Sequence, residues 1–149
     1  MRVLIQRVSK ADVRIAEKIN GAIDKGLVLF IGIGHEDTEE DIDWLVQKIA
    51  SMRIFSDDEG KMNLSVKDIG GKILAVSQFT LHALTKKGNR PSFIEAARPE
   101  QAVPLYESFI QKIQLSGIPT ETGIFGADMN VNLTNDGPVT IWLDSKNKE

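Results

Sequence analysis

The sequence predicts an α+β fold. We expect a β-rich single domain, mostly antiparallel sheets with two main helices packed on one side, in β/β/α layers. Apolar and β-branched stretches bounded by turn residues outnumber the stretches of helical period, of which there are two. Several of the predicted strands also follow one another directly, as antiparallel neighbours do. The 149 residues suit one domain, residues 1–149, because no linker, repeat or low-complexity segment divides them.

The N-terminal part of the chain predicts three strands. Arg2–Val8 is rich in β-branched residues and predicts the first strand. A hairpin follows, with a strand near Val13–Ala16, a turn at Asn20-Gly21 and a buried strand at Leu27–Ile33. The Asn-Gly pair predicts the turn because both residues tolerate positive φ.

Two segments have the spacing of amphipathic helices. Residues 36–55 predict the first helix, which Asp37 or Thr38 can cap. Its apolar positions are Ile42, Leu45, Val46, Ile49 and Met52. Residues 98–117 predict the second helix, with Pro104 in its first turn and Gly117 at its end. The apolar face of that helix consists of Val103, Tyr106, Phe109, Ile110 and Ile113.

The remaining strands complete the order β-β-β-α-β-α-β-β-β. Residues 70–79 predict a strand between the helices, and residues 118–123 predict a short strand after the second helix. Residues 128–145 alternate in polarity and predict two strands joined by a turn at residues 134–138.

Composition excludes several classes of function. The net charge of −3 argues against a protein that holds long nucleic acid, DNA included, by its backbone. The absence of cysteine excludes disulfides and thiolate metal sites and indicates a reducing, cytoplasmic location. The longest apolar run, residues 26–34, is too short to cross a membrane. His35 and His82 lack partners at ligand spacing, so we expect no metal, and an incomplete glycine pattern at residues 32–34 gives no reason to expect a cofactor.

Two segments place polar residues where a strand and a turn alone do not need them. In residues 73–81, an apolar run changes abruptly to Ser77, Gln78, Phe79 and Thr80. In residues 135–140, Pro138 stands at the start of an apolar strand, where it removes a ladder donor. His82, two residues after Thr80, allows a small-ester esterase that uses a Thr80–His82 pair. In the simpler interpretation, His82 is a partly exposed loop residue.

Together, the segments Ser77-Gln78-Phe79-Thr80-Leu81 and Asn135-Asp136-Gly137-Pro138-Val139-Thr140 resemble the D-aminoacyl-tRNA deacylase family, also called D-tyrosyl-tRNA deacylases. Further segments match that family in order and spacing, so that the resemblance covers nearly the whole chain. These are residues 1–13, 52–66, 86–93, 104–109 and 122–140. The departures are Asn89, where a basic residue is usual, and the continuation His82-Ala83-Leu84.

The resemblance implies a homodimer with its active sites at the interface. The reaction it implies is hydrolysis of the ester between a D-amino acid, or glycine on the alanine tRNA, and the terminal adenosine of tRNA, as proofreading of translation. Ser77, Gln78, Phe79 and Thr80 would form the catalytic pocket. Gly137 and Pro138, as a Gly-cis-Pro pair, would reach into the partner's pocket and exclude an L side chain.

Two questions remain open at the level of the sequence. Either Thr80 is the nucleophile, or the 2′-hydroxyl of the RNA helps to activate water; we favour the second, because no residue is evident as a base for Thr80. The basic side chains Lys86, Lys87 and Arg90 are candidates for contact with the 3′ end of tRNA. A non-catalytic RNA-binding module that uses this loop is a further alternative, which the acidic net charge disfavours.

Overall fold

Six strands form one mixed sheet at the centre of the computed structural model, which describes residues 1–149. They are β1 (Arg2–Ile15), β2 (Lys18–Ile23), β3 (Gly26–Gly32), β6 (Lys72–Ser77), β7 (Thr120–Thr122) and β8 (Asn130–Asp144). A separate two-stranded ladder consists of β4 (Phe55–Ser56) and β5 (Met62–Leu64). The helices are α1 (Glu39–Ser51), a 3-10 helix at Phe79–His82 and α2 (Pro99–Leu115).

The main sheet has the order β2-β1-β3-β6-β7, and β8 also pairs with β1. β1 is antiparallel to β2, β3 and β8, whereas β3 with β6 and β6 with β7 are parallel pairs. At the two ends of this order, Asn20 Nδ2 on β2 donates a 2.7 Å hydrogen bond to the backbone oxygen of Thr122 on β7. The sheet therefore curls into a nearly closed barrel.

The two helices cover one face of this sheet, as the sequence predicts. The larger core cluster joins apolar side chains of β1, β3 and β6 to those of α1 and α2. A smaller cluster, which includes Val8, Val28 and Leu74, fills the inside of the curved sheet. The predicted α+β class, with a β-rich architecture and two main helices on one side, is confirmed. Neither helix has the length and hydrophobicity that crossing a bilayer requires.

Both helices keep most of the face that their spacing predicts, although Met52 lies just beyond α1 and Val103 and Ile110 are only half-buried. In α1 the buried apolar residues are Ile42, Leu45, Val46 and Ile49. Thr38 caps this helix, and its N–H donates to Asp41 Oδ2 at 2.8 Å, which completes a capping box. In α2, Tyr106, Phe109 and Ile113 are buried, together with Ala102, which the sequence analysis missed.

The predicted turn at Asn20-Gly21 is wrong. The hairpin turns instead at Ala16 and Glu17, which have φ of 49° and 67°, and Gly21 lies within β2. A Cβ on Gly21 would lie 3.1 Å from the backbone oxygen of Thr122. Glycine is needed here because β2 and β7 approach each other closely where the barrel closes.

The predicted turn between two strands at residues 134–138 is also wrong. Asn130–Asp144 is a single strand, β8, that pairs along β1. The register shifts between the pair Val8 with Asn135 and the pair Gln6 with Thr140. Residues 136–139 therefore bulge out of the ladder opposite Arg7 instead of reversing the chain. A bulge and a turn favour the same residue types, so composition alone did not separate them.

Candidate functional site

The segment Ser77–Thr80 begins where β6 ends. Ser77 is the last residue of β6 and pairs with Ile31 on β3. The N–H of Gln78 donates a 2.7 Å hydrogen bond to the Ile31 oxygen, and the chain then turns into the 3-10 helix. Phe79 and Thr80 are exposed at the start of that helix. The first amides of a helix lack an intrahelical acceptor, so the N–H groups of Phe79 and Thr80 are available to a ligand.

Ser77, Gln78 and Phe79 of this segment line an open cavity of about 220 Å³, whereas Thr80 lies outside it. One wall is formed by Ser77, Gln78 and Phe79, and the other by residues before and at the start of β8, among them Met129 and Val131. A smaller, mainly apolar cavity of about 70 Å³ adjoins it and shares Ser77, Gln78 and Phe79. Its other lining residues are Ile31, Ile33, Ala97, Ala102, Phe125 and Gly126.

Residues 125–131 are part of the site that sequence reasoning missed. These residues lie in the segment 122–140, which resembles the family, but the resemblance gave a role only to Gly137 and Pro138. Phe125 packs on Tyr106 of α2, with the ring centroids 5.9 Å apart. The Tyr106 hydroxyl donates to the Ala75 oxygen of β6 at 3.1 Å, and burial raises the pKa of Tyr106 to about 12. The buried, uncharged Tyr106 thus links Phe125, on the wall formed by residues 125–131, to the strand that carries Ser77.

Thr80 and His82 do not form the pair that an esterase would need. Gln78 Nε2 donates a 2.6 Å hydrogen bond to Thr80 Oγ1, and no base contacts that hydroxyl. His82 is 7% exposed, and its Nε2 has no hydrogen-bond partner. The 3-10 helix turns the two side chains apart, whereas an extended chain would have aligned them. The interpretation of His82 as a partly exposed loop residue is therefore also wrong.

Gly137 and Pro138 lie on the exposed bulge of β8, outside the cavity that Ser77–Phe79 line. The peptide bond between them is cis, and Gly137 has a φ of 124°. A Cβ on Gly137 would lie 2.8 Å from Arg7 Nη2, so the bulge packs closely on this arginine. Within one chain, the structure does not bring the two polar segments into one cavity.

Arg7 and Asn135 hold the bulge in place. Arg7 is 9% exposed; its Nε donates to the Asp136 oxygen at 3.1 Å and its Nη1 to the Ile54 oxygen at 2.7 Å. Asn135 Nδ2 donates to the oxygens of Arg7 and Val139, each at 3.0 Å. Sequence reasoning missed Arg7. The available signal was an arginine on the inward-facing side of an apolar strand.

The loop with Lys86, Lys87 and Arg90 follows the 3-10 helix in the chain. Reciprocal backbone hydrogen bonds between Leu84 and Ser92, of 2.8 and 3.0 Å, close the base of the loop. All three basic residues are exposed, and none is in an ion pair with an acidic side chain. Beside the loop, Phe93 packs edge-on against Phe79 at 5.1 Å, and both rings are partly exposed. The loop can therefore meet an anionic ligand next to the cavity.

The structure contains no group of three or more His, Asp or Glu side chains that could hold a metal ion. The polar groups that this chain places at the cavity include the side chains of Ser77 and Gln78.

Comparison with known proteins identifies similar chains over the full length. The family model described as "D-Tyr-tRNA(Tyr) deacylase" matches residues 4–144. Proteins named D-aminoacyl-tRNA deacylase from Flavobacterium psychrophilum and Cytophaga hutchinsonii are 60% and 61% identical to this chain, each over all of both chains.

Two solved structures are also similar. The "c-Myc DNA Unwinding Element Binding Protein" has a TM-score of 0.90 and 40% identity, and the match covers 97% of this chain and 98% of that one. A "probable eukaryotic D-amino acid tRNA deacylase" has a TM-score of 0.82 over 95% of this chain and 97% of that one. At 18% identity, this second match shows the fold alone.

Proposed function

Because this chain belongs to the D-Tyr-tRNA(Tyr) deacylase family, we propose that it hydrolyses the ester bond between a D-amino acid and the 3′-terminal adenosine of tRNA. The protein is then a hydrolase that acts in proofreading of translation, in the cytoplasm where its substrate is made. The assignment of the site rests on one observation: Ser77, Gln78 and Phe79 stand at the end of a buried strand and line a cavity. Glycine carried by the alanine tRNA is also a proposed substrate, because glycine has no side chain to be excluded.

The backbone amides at the start of the 3-10 helix suit the reacting ester. As water attacks the carbonyl carbon, negative charge develops on the carbonyl oxygen, and fixed N–H donors stabilise it. Phe79 and Thr80 carry these amides in our proposal. The tetrahedral intermediate then releases the ribose hydroxyl, which yields free tRNA and the amino acid.

We assign the activation of water to the substrate's 2′-hydroxyl, not to Thr80. The Thr80 hydroxyl already accepts the hydrogen bond from Gln78, and no basic group lies against it. A threonine hydroxyl without a base is a weak nucleophile. The arrangement therefore supports a role for Thr80 in holding the side chain of Gln78, a residue that lines the cavity.

Selectivity for D-amino acids is assigned to Gly137 and Pro138 of a partner subunit. Both residues are exposed and lie outside the cavity of their own chain, which supports a role in the cavity of a second copy. Arg7 and Asn135 fix the bulge, so it can act as a wall. A fixed backbone wall excludes an L side chain by steric conflict, and its carbonyls face the amino group of the substrate.

Side-by-side hydrolysis of D-tyrosyl-tRNA and L-tyrosyl-tRNA tests the proposal. The purified protein is assayed with a chelator and no added metal, and we expect rapid release of D-tyrosine only. Release of both enantiomers would retain the hydrolase but contradict exclusion by Gly137 and Pro138. Release of neither would contradict the proposed activity.

A further inference from the structure

His82 is the buried end of the turn that carries the candidate site. It is 7% exposed, whereas Phe79, at the other end of the same 3-10 helix, is 56% exposed. The ring lies against the backbone where β3 ends. A Cβ on Gly32 would lie 3.2 Å from its Cδ2, and a Cβ on Gly34 would lie 3.0 Å from its Cε1. The imidazole thus fills the space between β3 and the turn.

Two other contacts tie this turn to the sheet. Gln78 donates its backbone N–H to Ile31 at 2.7 Å, and Arg2 Nη1 donates to the Leu81 oxygen at 2.9 Å. His82 comes directly after both contacts and adds the packing of a buried ring to them. Without this ring, the turn would be attached to the sheet by these two hydrogen bonds and by the contact of Leu81 with Gly32.

The surroundings of His82 favour the neutral imidazole. Nε2 has no hydrogen-bond partner, so a proton added there would be buried without an acceptor. Burial lowers the pKa of His82, and a hydrogen bond with the backbone of Gly32 only partly opposes this effect. In the folded protein the ring therefore stays neutral to a lower pH than a free histidine does.

The charged groups around the His82 ring have opposing effects on its protonation. Arg2 and the amino group of Met1 disfavour a proton on His82, and Asp37 favours one. Asp37 is itself paired with the amino group of Met1, which reduces its pull on the ring. The cleft that His82 lines also contains His35, Glu36, Glu95, Asp144 and Lys146. Asp144 is paired with Arg2, and Lys146 lies near Asp37 and Asp41.

We propose that His82 is a positioning residue for deacylation: its neutral ring holds the Ser77–Thr80 turn against β3, and protonation of the ring releases the turn. This inference rests on the proposed function, since it concerns the same site. It assigns to His82 no contact with the substrate. Deacylation should consequently fall in mild acid, about tenfold for each pH unit below the midpoint if one proton is responsible.

The first test compares pH profiles of kcat for D-tyrosyl-tRNA between about pH 5 and pH 8. We expect an acid limb in the wild-type protein that is absent in His82→Phe, because phenylalanine fills a similar space and does not titrate. His35→Phe is the matched control: His35 is the only other histidine, lies exposed in the same cleft, and should leave the acid limb unchanged. An unchanged acid limb in His82→Phe, or none in the wild type, would overturn the proposal.

A second variant separates positioning from general stability. His82→Ala leaves a gap beneath the turn, so we expect kcat to fall about tenfold with KM within about twofold. His82→Phe should restore kcat at neutral pH, although it cannot restore any proton transfer. Failure of phenylalanine to rescue kcat in a folded protein would contradict a role through packing.

An NMR titration gives a readout that does not depend on activity. The His82 ring should titrate below the usual histidine midpoint, and the amide signals of residues 77–81 should shift with the same midpoint. Independent titration of ring and amides would overturn the inference. Absence of hydrolysis at every pH, with coupled ring and amide shifts, would instead contradict only the proposed function.

Discussion

Arg7 is the only charged residue among the buried side chains of β1, and Val3 and Ile5 point to the same side. It bonds both to the bulge, at Asp136, and to Ile54. We expect Arg7→Lys to lower deacylation of D-tyrosyl-tRNA by about 10- to 100-fold. A lysine ammonium cannot reproduce the two separate N–H directions of the guanidinium. Steady-state kinetics would measure this loss.

The matched control for Arg7→Lys is Arg53→Lys. Arg53 precedes Ile54, but its own Nη1 bonds to the Asn63 side chain at 3.0 Å, in an exposed contact that does not involve the bulge. The control variant should keep near-normal activity. Equal activity of both variants would show that the bulge does not need Arg7.

Replacement of Thr80 distinguishes attack by its hydroxyl from activation of water by the 2′-hydroxyl of the substrate. The Thr80 hydroxyl accepts a hydrogen bond from Gln78 and has no base beside it, so we expect Thr80→Ala to retain kcat within about tenfold. A tRNA that ends in 2′-deoxyadenosine should react far more slowly with the wild-type protein. Single-turnover assays would measure both effects. Normal turnover of the deoxy substrate, with an inactive Thr80→Ala, would identify Thr80 as the nucleophile.

At the scale of elements, Asp41 ties the start of α1 to the C-terminal end of β8. Burial alone would raise its pKa, but hydrogen bonds from Ser145, Lys146 and the backbone of Thr38 outweigh this and lower the pKa to about 2. A depressed pKa stabilises the fold above the ordinary carboxyl pKa, and this contribution is lost as the pH falls from about 4 to about 2.

We therefore expect Asp41→Asn to reduce the free energy of unfolding at neutral pH by about 2 kcal/mol. The difference from the wild type should shrink as the pH falls from about 4 to about 2. Asp43→Asn is the control, because Asp43 is 64% exposed and its ion pair with Lys112 should contribute at most about 1 kcal/mol. Urea unfolding at several pH values would measure both. A difference for Asp41→Asn that does not change with pH would contradict the linkage.

The elements also show what the sequence could and could not predict. Both helices were predictable because their spacing and caps are local signals, as the box at Thr38 and Asp41 illustrates. The hairpin turn was not, because Gly21 serves a contact with Thr122, a residue about a hundred positions away. Ser77–Thr80 stood out because polar residues end an apolar strand. Arg7 reaches the bulge through the pairing of β1 with β8, and residues 125–131 reach the cavity with the packing of Phe125 on α2. No local pattern encodes these long-range contacts.

At the scale of the whole molecule, we propose that the cavity of one subunit meets the bulge of the other, and paired variants can test this arrangement. Ala127→Trp would fill the cavity, and Gly137→Val would displace the bulge, because glycine there has a positive φ and a Cβ would meet Arg7. Each variant alone should be inactive. Mixed dimers, however, contain one site in which an intact cavity meets an intact bulge.

Random assembly makes half of the dimers mixed, with one of two sites restored, so co-expression should recover about a quarter of wild-type activity. Light scattering should give about twice the chain mass of 16.5 kDa. No recovery on mixing, or a fully active monomer, would contradict a site shared between subunits.

The charge of the molecule limits how it can hold tRNA. With a net charge of −3, the chain cannot neutralise a long stretch of phosphates, but exposed Lys86, Lys87 and Arg90 can meet a few near the 3′ end. Three contacts to a single strand predict a slope of about −2 for the logarithm of kcat/KM against that of salt concentration. Replacing all three residues with glutamine should bring this slope close to zero and leave kcat nearly unchanged. Lys61→Gln, on a different exposed loop, should not alter it. A slope steeper than about −5, or one that survives the triple replacement, would mean that a different and larger surface holds the tRNA.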